Sequence, residues 1–157
     1  MAIKLVRSAG DNIDAAVVDM YASGVVKPNS AVEFSRTGGV GVFPASASSP
    51  FTSLFGVCLD YAQGASDVMV RVIKFEQNQL WEVDAVNAIT TAQIGLRHQL
   101  NDHLSVRNTG TDLGAGTAST AVFRAIAITG LTTGSAKLIG YFRTSDDAVG
   151  QNQTTFA

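Results

Sequence analysis

Charge is scarce in this sequence: Asp, Glu, Lys and Arg make up 15% of its 157 residues, against roughly 25% in an ordinary soluble domain. Something other than solvated charge must therefore cover part of its surface. Cysteine occurs once, so no intramolecular disulfide can form and the fold needs no oxidising compartment. That residue, Cys58, lies in the apolar run Phe55-Gly-Val-Cys-Leu59, where a thiol serves as a small core hydrophobe. A basic excess is missing as well. The net charge of −2 and pI near 5.5 exclude nucleic acid as a direct partner, because a phosphate backbone must be neutralised by clustered Lys and Arg. No run approaches the ~20 apolar residues that span a bilayer, so no membrane partner is expected. The start, Met-Ala-Ile-Lys-Leu-Val-Arg-Ser, lacks the apolar stretch of a secretory signal. The expectation is a chain made and kept in a cytoplasm.

What is present is 46% hydrophobic residues, 15 glycines and a polar complement drawn mainly from Thr, Ser, Asn and Gln. This composition suits strands, turns and surfaces buried between subunits better than long solvated helices. The length fits one core. The expected organisation is an N-terminal arm over 1–14, a β domain over 15–143 and a polar C-terminal tail over 144–157.

The arm opens with the short alternation Ile3-Lys4-Leu5-Val6-Arg7 and breaks at Gly10-Asp11-Asn12, which is turn chemistry. Ala15 to Tyr21 could be a short helix capped by Asp14 or Asn12 and ending at Gly24, but Val17-Val18 and Tyr21 favour a strand. Val32 and Phe34 alternate with Glu33 and Ser35 before the turn Thr37-Gly38-Gly39, and Val40 and Val42 follow as the second arm of a hairpin. Pro44 to Pro50 reads as an exposed, low-complexity loop. The strongest strands are Phe55 to Tyr61 and Val68 to Phe75, joined by Gln63 to Asp67. In the second of these, Val68, Val70 and Val72 share one face and Met69, Arg71 and Ile73 the other, so one side is expected on the core and the other against a neighbour. Leu80 to Val83 forms a further strand anchored by the single Trp81. Thr90 to Leu100 fits either a helix of one to three turns or an irregular excursion with a strand near Ile94 to Leu96. Leu104 to Arg107 is a short strand, Asn108 to Ser119 a Gly/Thr loop, and Ala121 to Ile128 with Lys137 to Phe142 close the domain. About nine short strands at near-regular spacing predict a mainly β, single-domain barrel or sandwich with extended termini. No fixed-period repeat occurs.

Few residues form patterns that carry chemistry. His98 and His103 flank Asp102 and could hold a metal if a loop gathered them, but their spacing matches no common site, and ordinary surface or contact histidines are the simpler reading. Serines abound without a G-x-S-x-G elbow, and Cys58 is embedded in a strand, so a hydrolase is disfavoured. Asp60, Asp67, Glu76, Glu82 and Asp84 fall at or near strand ends with no evident catalytic pairing. The segment Gly110 to Gly116 lacks the Gly-Lys-Ser/Thr ending of a phosphate loop. Aromatic residues fall mainly on or beside strands, as core residues do. A sugar platform built from Phe51 with Tyr61 or Trp81 is a minor alternative. No catalytic residue, metal site or cofactor is expected.

The segments Gln79-Leu-Trp-Glu-Val-Asp84, Ile94-Gly-Leu-Arg97, Leu100-Asn-Asp102, Val106-Arg-Asn-Thr-Gly-Thr-Asp112, Val122-Phe123 and Lys137-Leu-Ile-Gly-Tyr-Phe-Arg143, with Val26 to Phe34 and Phe55 to Leu59 upstream, carry a resemblance over residues 20–143. The chain resembles the capsid decoration, or cement, proteins of tailed bacteriophages. The shared pattern is one of strands and turns, not a catalytic signature, and a tail or neck protein is its neighbour. The resemblance implies a β-barrel or β-tulip-like domain without enzymatic activity, associated as a homo-oligomer, with a trimer favoured. Such a domain would bind the major capsid protein on the outside of the virion after assembly in the bacterial cytoplasm. The expected mechanism is apolar burial plus strand addition to an open sheet edge. Ile3, Leu5 and Val6 are the candidate contact residues of the arm.

Overall fold

The structure, a computed structural model, describes residues 2–7, 17–34, 41–63, 68–76, 79–87, 93–107, 119–128 and 137–143. Of these, 60% are in strands and none is in a helix, with one nearly closed barrel-like sheet and one half-barrel sheet. The mainly β expectation therefore holds, although the described residues form fourteen strands where about nine were expected. The turn Thr37–Gly39, most of the Gly/Thr loop, the connections at 64–67 and 129–136, and the C-terminal tail lie outside the described residues.

The seven-stranded sheet runs β10 (Arg97–His98), β13 (Phe123–Ile128), β14 (Lys137–Phe142), β9 (Leu80–Ala85), β12 (Ser105–Val106) and β11 (Leu100–Asp102), with β1 (Ile3–Arg7) also on β9. β9 organises it. On one side it pairs with β14; on the other, β1 takes Leu80 to Val83 and β12 takes Asp84 and Ala85. In β9 and β14 the side chains alternate between a buried and a half-buried face, the period of two expected of a sheet with one face on a core. Gly140 of β14 permits the close approach of β13, since a Cβ there would overlap the carbonyl oxygen of Arg124.

The five-stranded sheet has the order β2 (Val17–Tyr21), β8 (Met69–Lys74), β6 (Leu54–Cys58), β4 (Ser30–Phe34) and β5 (Val42–Pro44). Its ends curl together. Beyond β2, Ala22 bridges Val42 of β5, and Ser23 N donates to Val42 O at 2.8 Å. Gly41, at φ +106°, sits against the Tyr21 carbonyl where a side chain would clash. A ribbon of β3 (Val25–Val26) and β7 (Ala62–Gln63) completes the fold.

This curvature creates two cores. The larger contains Ala31, Val57 and Ile73 from one sheet and Ile3, Trp81, Val83, Leu100, Val106, Phe123, Leu138 and Phe142 from the other. Its centre is aromatic. Phe75 stacks on Phe142 at 4.2 Å and meets Trp81 edge-on at 5.1 Å, an arrangement that suits the ring quadrupoles. The smaller core, Ala22, Val26, Val32, Val42, Cys58, Ala62, Val70 and Val72, lies within the curl of the five-stranded sheet and under the ribbon. Residues 54–58 are therefore buried with little alternation, because this central strand has a core on each face, whereas β8 alternates over Met69 to Val72 with Arg71 exposed and buries both Val72 and Ile73.

Three expectations change. Residues 90–92 lie outside the described residues, and from 93 to 107 there are the short strands β10, β11 and β12 and no helix, while the strand expected near Ile94 to Leu96 is a turn with Gly95 at φ +86°. Pro44 to Pro50 is not simply exposed: Ala45 and Ser49 are buried, Ala45 N donates to Ala31 O, and Ser49 Oγ accepts from Ser46 N at 2.8 Å. Val68 does not share the buried environment of Val70 and Val72 but is exposed, and Ile73 is buried on the face opposite to them.

Candidate functional site

β1 is a member of the domain's own sheet. Ile3 pairs with Val83 and Leu5 with Trp81, while the register slips between Leu5 and Arg7. Ala2 O accepts from Asp84 N and Ile3 N donates to Asn29 O at 2.9 Å, so the strand is tied on both sides at its start. Ile3 is fully buried in the larger core, Leu5 is half-buried against it, and Lys4 and Val6 point outward. Of the three candidate contact residues, Ile3 is thus withdrawn into the core and Val6, at 51% exposure, is the one left at the surface. The bulge at Val6 also shortens the straight edge available for strand addition. Sequence alternation identified the strand but not its owner.

A second surface lies at the end of the five-stranded sheet. Tyr21 pairs with Met69 across β2 and β8, and both are exposed. Ala22 N donates to Val68 O, and Val68, which alternates to the opposite face from Met69, is exposed as well. Val25 on β3 and Tyr61 just before β7 are also exposed, and the pairing of Val26 with Ala62 holds those two segments together. Five of the nine exposed large hydrophobic residues among those described lie on these two pairs of segments.

Beside it, Asp60 binds Arg71 in three ways: Arg71 Nη2 donates to Oδ1 at 2.7 Å, Nε to Oδ2 at 3.1 Å and the Arg71 amide to Oδ2 at 2.8 Å. The guanidinium and this amide hold the Asp60 carboxyl below the usual range. Cys58 Sγ donates to Asp60 O at 2.9 Å, and burial pushes the thiol up.

The residues considered for chemistry are dispersed. His98 is fully buried on β10 with Nε2 3.2 Å from Gln93 O. His103 occupies the β11–β12 turn, where its carbonyl accepts from Ala31 N. Asp102 Oδ1 accepts from Leu104 N at 2.8 Å and Ser105 Oγ at 2.9 Å, an Asx-type turn that closes the hairpin. Among the described residues no group of three His, Cys, Asp or Glu side chains could hold a metal ion. Glu82 and Asp84 approach Lys137 at 3.4 and 4.0 Å. Asp67 lies outside the described residues.

The sugar platform does not assemble from its proposed parts. Trp81 is buried at 1% exposure, and Phe51 lies beneath Arg143, whose guanidinium carbon is 3.7 Å from the ring centroid. Tyr61 alone of that set is exposed.

No helix among the described residues is long and apolar enough to cross a membrane. No protein-family model matches the chain, and neither does any curated protein.

Proposed function

We propose that the chain is a structural virion protein that binds the outer surface of a bacteriophage capsid and reinforces contacts between capsomers. The observation that supports this reading is the barrel-like β fold, since the segments carrying the resemblance build its strands. β9 holds Leu80 to Asp84, β14 holds Lys137 to Phe142, and β4 and β6 hold the upstream segments. No reaction is part of the role.

In this reading β1 remains in its own sheet. Releasing it for strand addition would extract Ile3 from the core, a loss of about 2–5 kcal/mol on the scale of large-to-small core changes. Contact with the major capsid protein is then made by side chains on the outward face around Lys4 and Val6. Each contact can be weak, because an oligomer touching several capsid subunits gains from high effective concentration.

The test is co-sedimentation of the purified protein with phage heads that lack it. Saturable pelleting that falls at least tenfold for Val6→Glu, with the fold retained by circular dichroism, supports the reading. A protein that stays in the supernatant at every concentration overturns it and redirects the search to tail and neck assemblies.

A further inference from the structure

We infer that the outward face of β10, β13 and β14 recognises carboxylates, with Arg124 at its centre, and that its occupant is an acidic segment of the major capsid protein. That choice of occupant rests on the capsid reading above. The placement follows from alternation and register within one sheet. Phe123, Ala125, Leu138 and Phe142 enter the larger core, so Arg124, Ile139 and Tyr141 face outward. Arg124 stands directly opposite Arg97 of β10 on one side and Tyr141 of β14 on the other, positions about 4.5–5.5 Å apart at their Cα atoms. At the bulge two positions on, Ile126 is 40% exposed and adds apolar surface on the same side of the strand, the other side being core. Lys4, Glu82 and Ile139 fall in one row across β1, β9 and β14. The face is therefore continuous with the contact surface around Lys4 and Val6.

Charge selects the occupant. The whole chain has 11 basic and 13 acidic residues, yet β10, β13 and β14 carry Arg97, Arg124 and Lys137 and no acid. Lys137 is engaged by Glu82 and Asp84 of β9. Arg124 is held differently: its Nη1 donates to Gly95 O at 2.7 Å, and among the described residues it makes no ion pair. The carbonyl fixes the guanidinium in place, while Nη2 and the second hydrogen of Nη1 remain to donate to a carboxylate. A fixed fork loses little conformational freedom when it binds. Nucleic acid would need a longer basic track than this acid-rich chain offers. An open face that sets apolar Ile126 and Ile139 beside one positioned guanidinium suits instead a folded protein surface bearing an exposed Asp or Glu.

Two measurements on the full chain form the test: retention on immobilised poly-L-glutamate, and co-sedimentation with phage heads that lack the protein, each at rising NaCl. The wild type is compared with Arg124→Glu and with Lys27→Glu, which makes the same charge change on the exposed ribbon. Emission from the buried Trp81 verifies that each variant remains folded; where Arg124→Glu does not fold, Arg124→Gln takes its place. The wild type is expected to bind both, more weakly as salt rises. Arg124→Glu should lower both affinities at least tenfold, and Lys27→Glu should leave both near the wild type. A wild type that poly-L-glutamate does not retain, or binding that ignores the Arg124 substitution in a folded variant, overturns the inference. The capsid reading is judged separately. Pelleting indifferent to salt and to Arg124 keeps that reading and removes this face from it, whereas Arg124-dependent retention without pelleting keeps the carboxylate face and removes the capsid protein as its occupant.

Discussion

Replacing Gln79 with Leu is expected to destabilise the domain by about 2–4 kcal/mol although shape and volume are nearly conserved. Gln79 is 2% exposed and bridges the end of β8 to the start of β9. Its Oε1 accepts from Glu76 N at 2.7 Å and from Trp81 Nε1 at 3.3 Å, and its Nε2 donates to Lys74 O at 3.1 Å. Leucine offers none of these atoms. A buried polar group left without a partner costs about 1–3 kcal/mol, and Trp81, at 1% exposure, has no route to water. Lys74 and Glu76 are exposed residues, so solvent recovers part of their loss, and the added apolar burial of leucine offsets some of the remainder. Urea unfolding followed by fluorescence of the single Trp81 and by circular dichroism measures the difference. With a slope of about 2 kcal/mol/M, the midpoint should fall by about 1–2 M. A midpoint within about 0.3 M of the wild type would refute the reasoning, and would mean that the amide is incidental to the β8–β9 connection.

Ile3→Ala should cost about 2–5 kcal/mol, while Val6→Ala should stay within about 0.5 kcal/mol; equal, small effects in denaturant titration would show that β1 is not part of the core. The Asp60–Arg71 pair has a pH signature. The Asp60 carboxyl is held below its usual range by the guanidinium, so the pair's contribution is present above about pH 4, the ordinary Asp value, and is lost as pH falls through the lower folded value. Because both side chains are substantially exposed, at 31% and 60%, the stability lost in Asp60→Asn at pH 7 should be at most about 1 kcal/mol. Thermal unfolding should show that gap narrowing in acid, and a gap that is unchanged at pH 3 would contradict the assignment.

The β class was legible because alternation is a local property. Residues 80–85 bury one face and half-bury the other, and from Trp81 on their period of two shows in the sequence and again in the burial of the folded chain, whereas the same burial period in 137–142 is masked in the sequence by its nearly continuous apolar run. Residues 54–58 were legible for a different reason: burial on both faces leaves a nearly continuous apolar run. What such a run cannot convey is that Val57 and Ile73 belong to one core while Cys58 and Val72 belong to another. Burial within Pro44 to Pro50 was hidden too, since Ala45 and Ser49 have the composition of a loop and are enclosed only by what folds over them.

The candidate contact residues illustrate the same limit. The alternation of Ile3, Leu5 and Val6 was readable as a strand, but a strand's local pattern does not name its partner. Pairing with Val83 and Trp81, some eighty positions away, put Ile3 in the core and left Val6 outside. The exposure of Tyr21, Val25, Tyr61 and Val68 was not readable either, because it depends on how β2 pairs with β8 and β3 with β7. By itself, then, the sequence determined the backbone conformation, the absence of a disulfide and the sparse charge, all properties of neighbouring residues or of composition. Tertiary structure decided which strands pair, which apolar residues are covered and which stay available to a partner, because those outcomes depend on contacts between segments far apart in the chain.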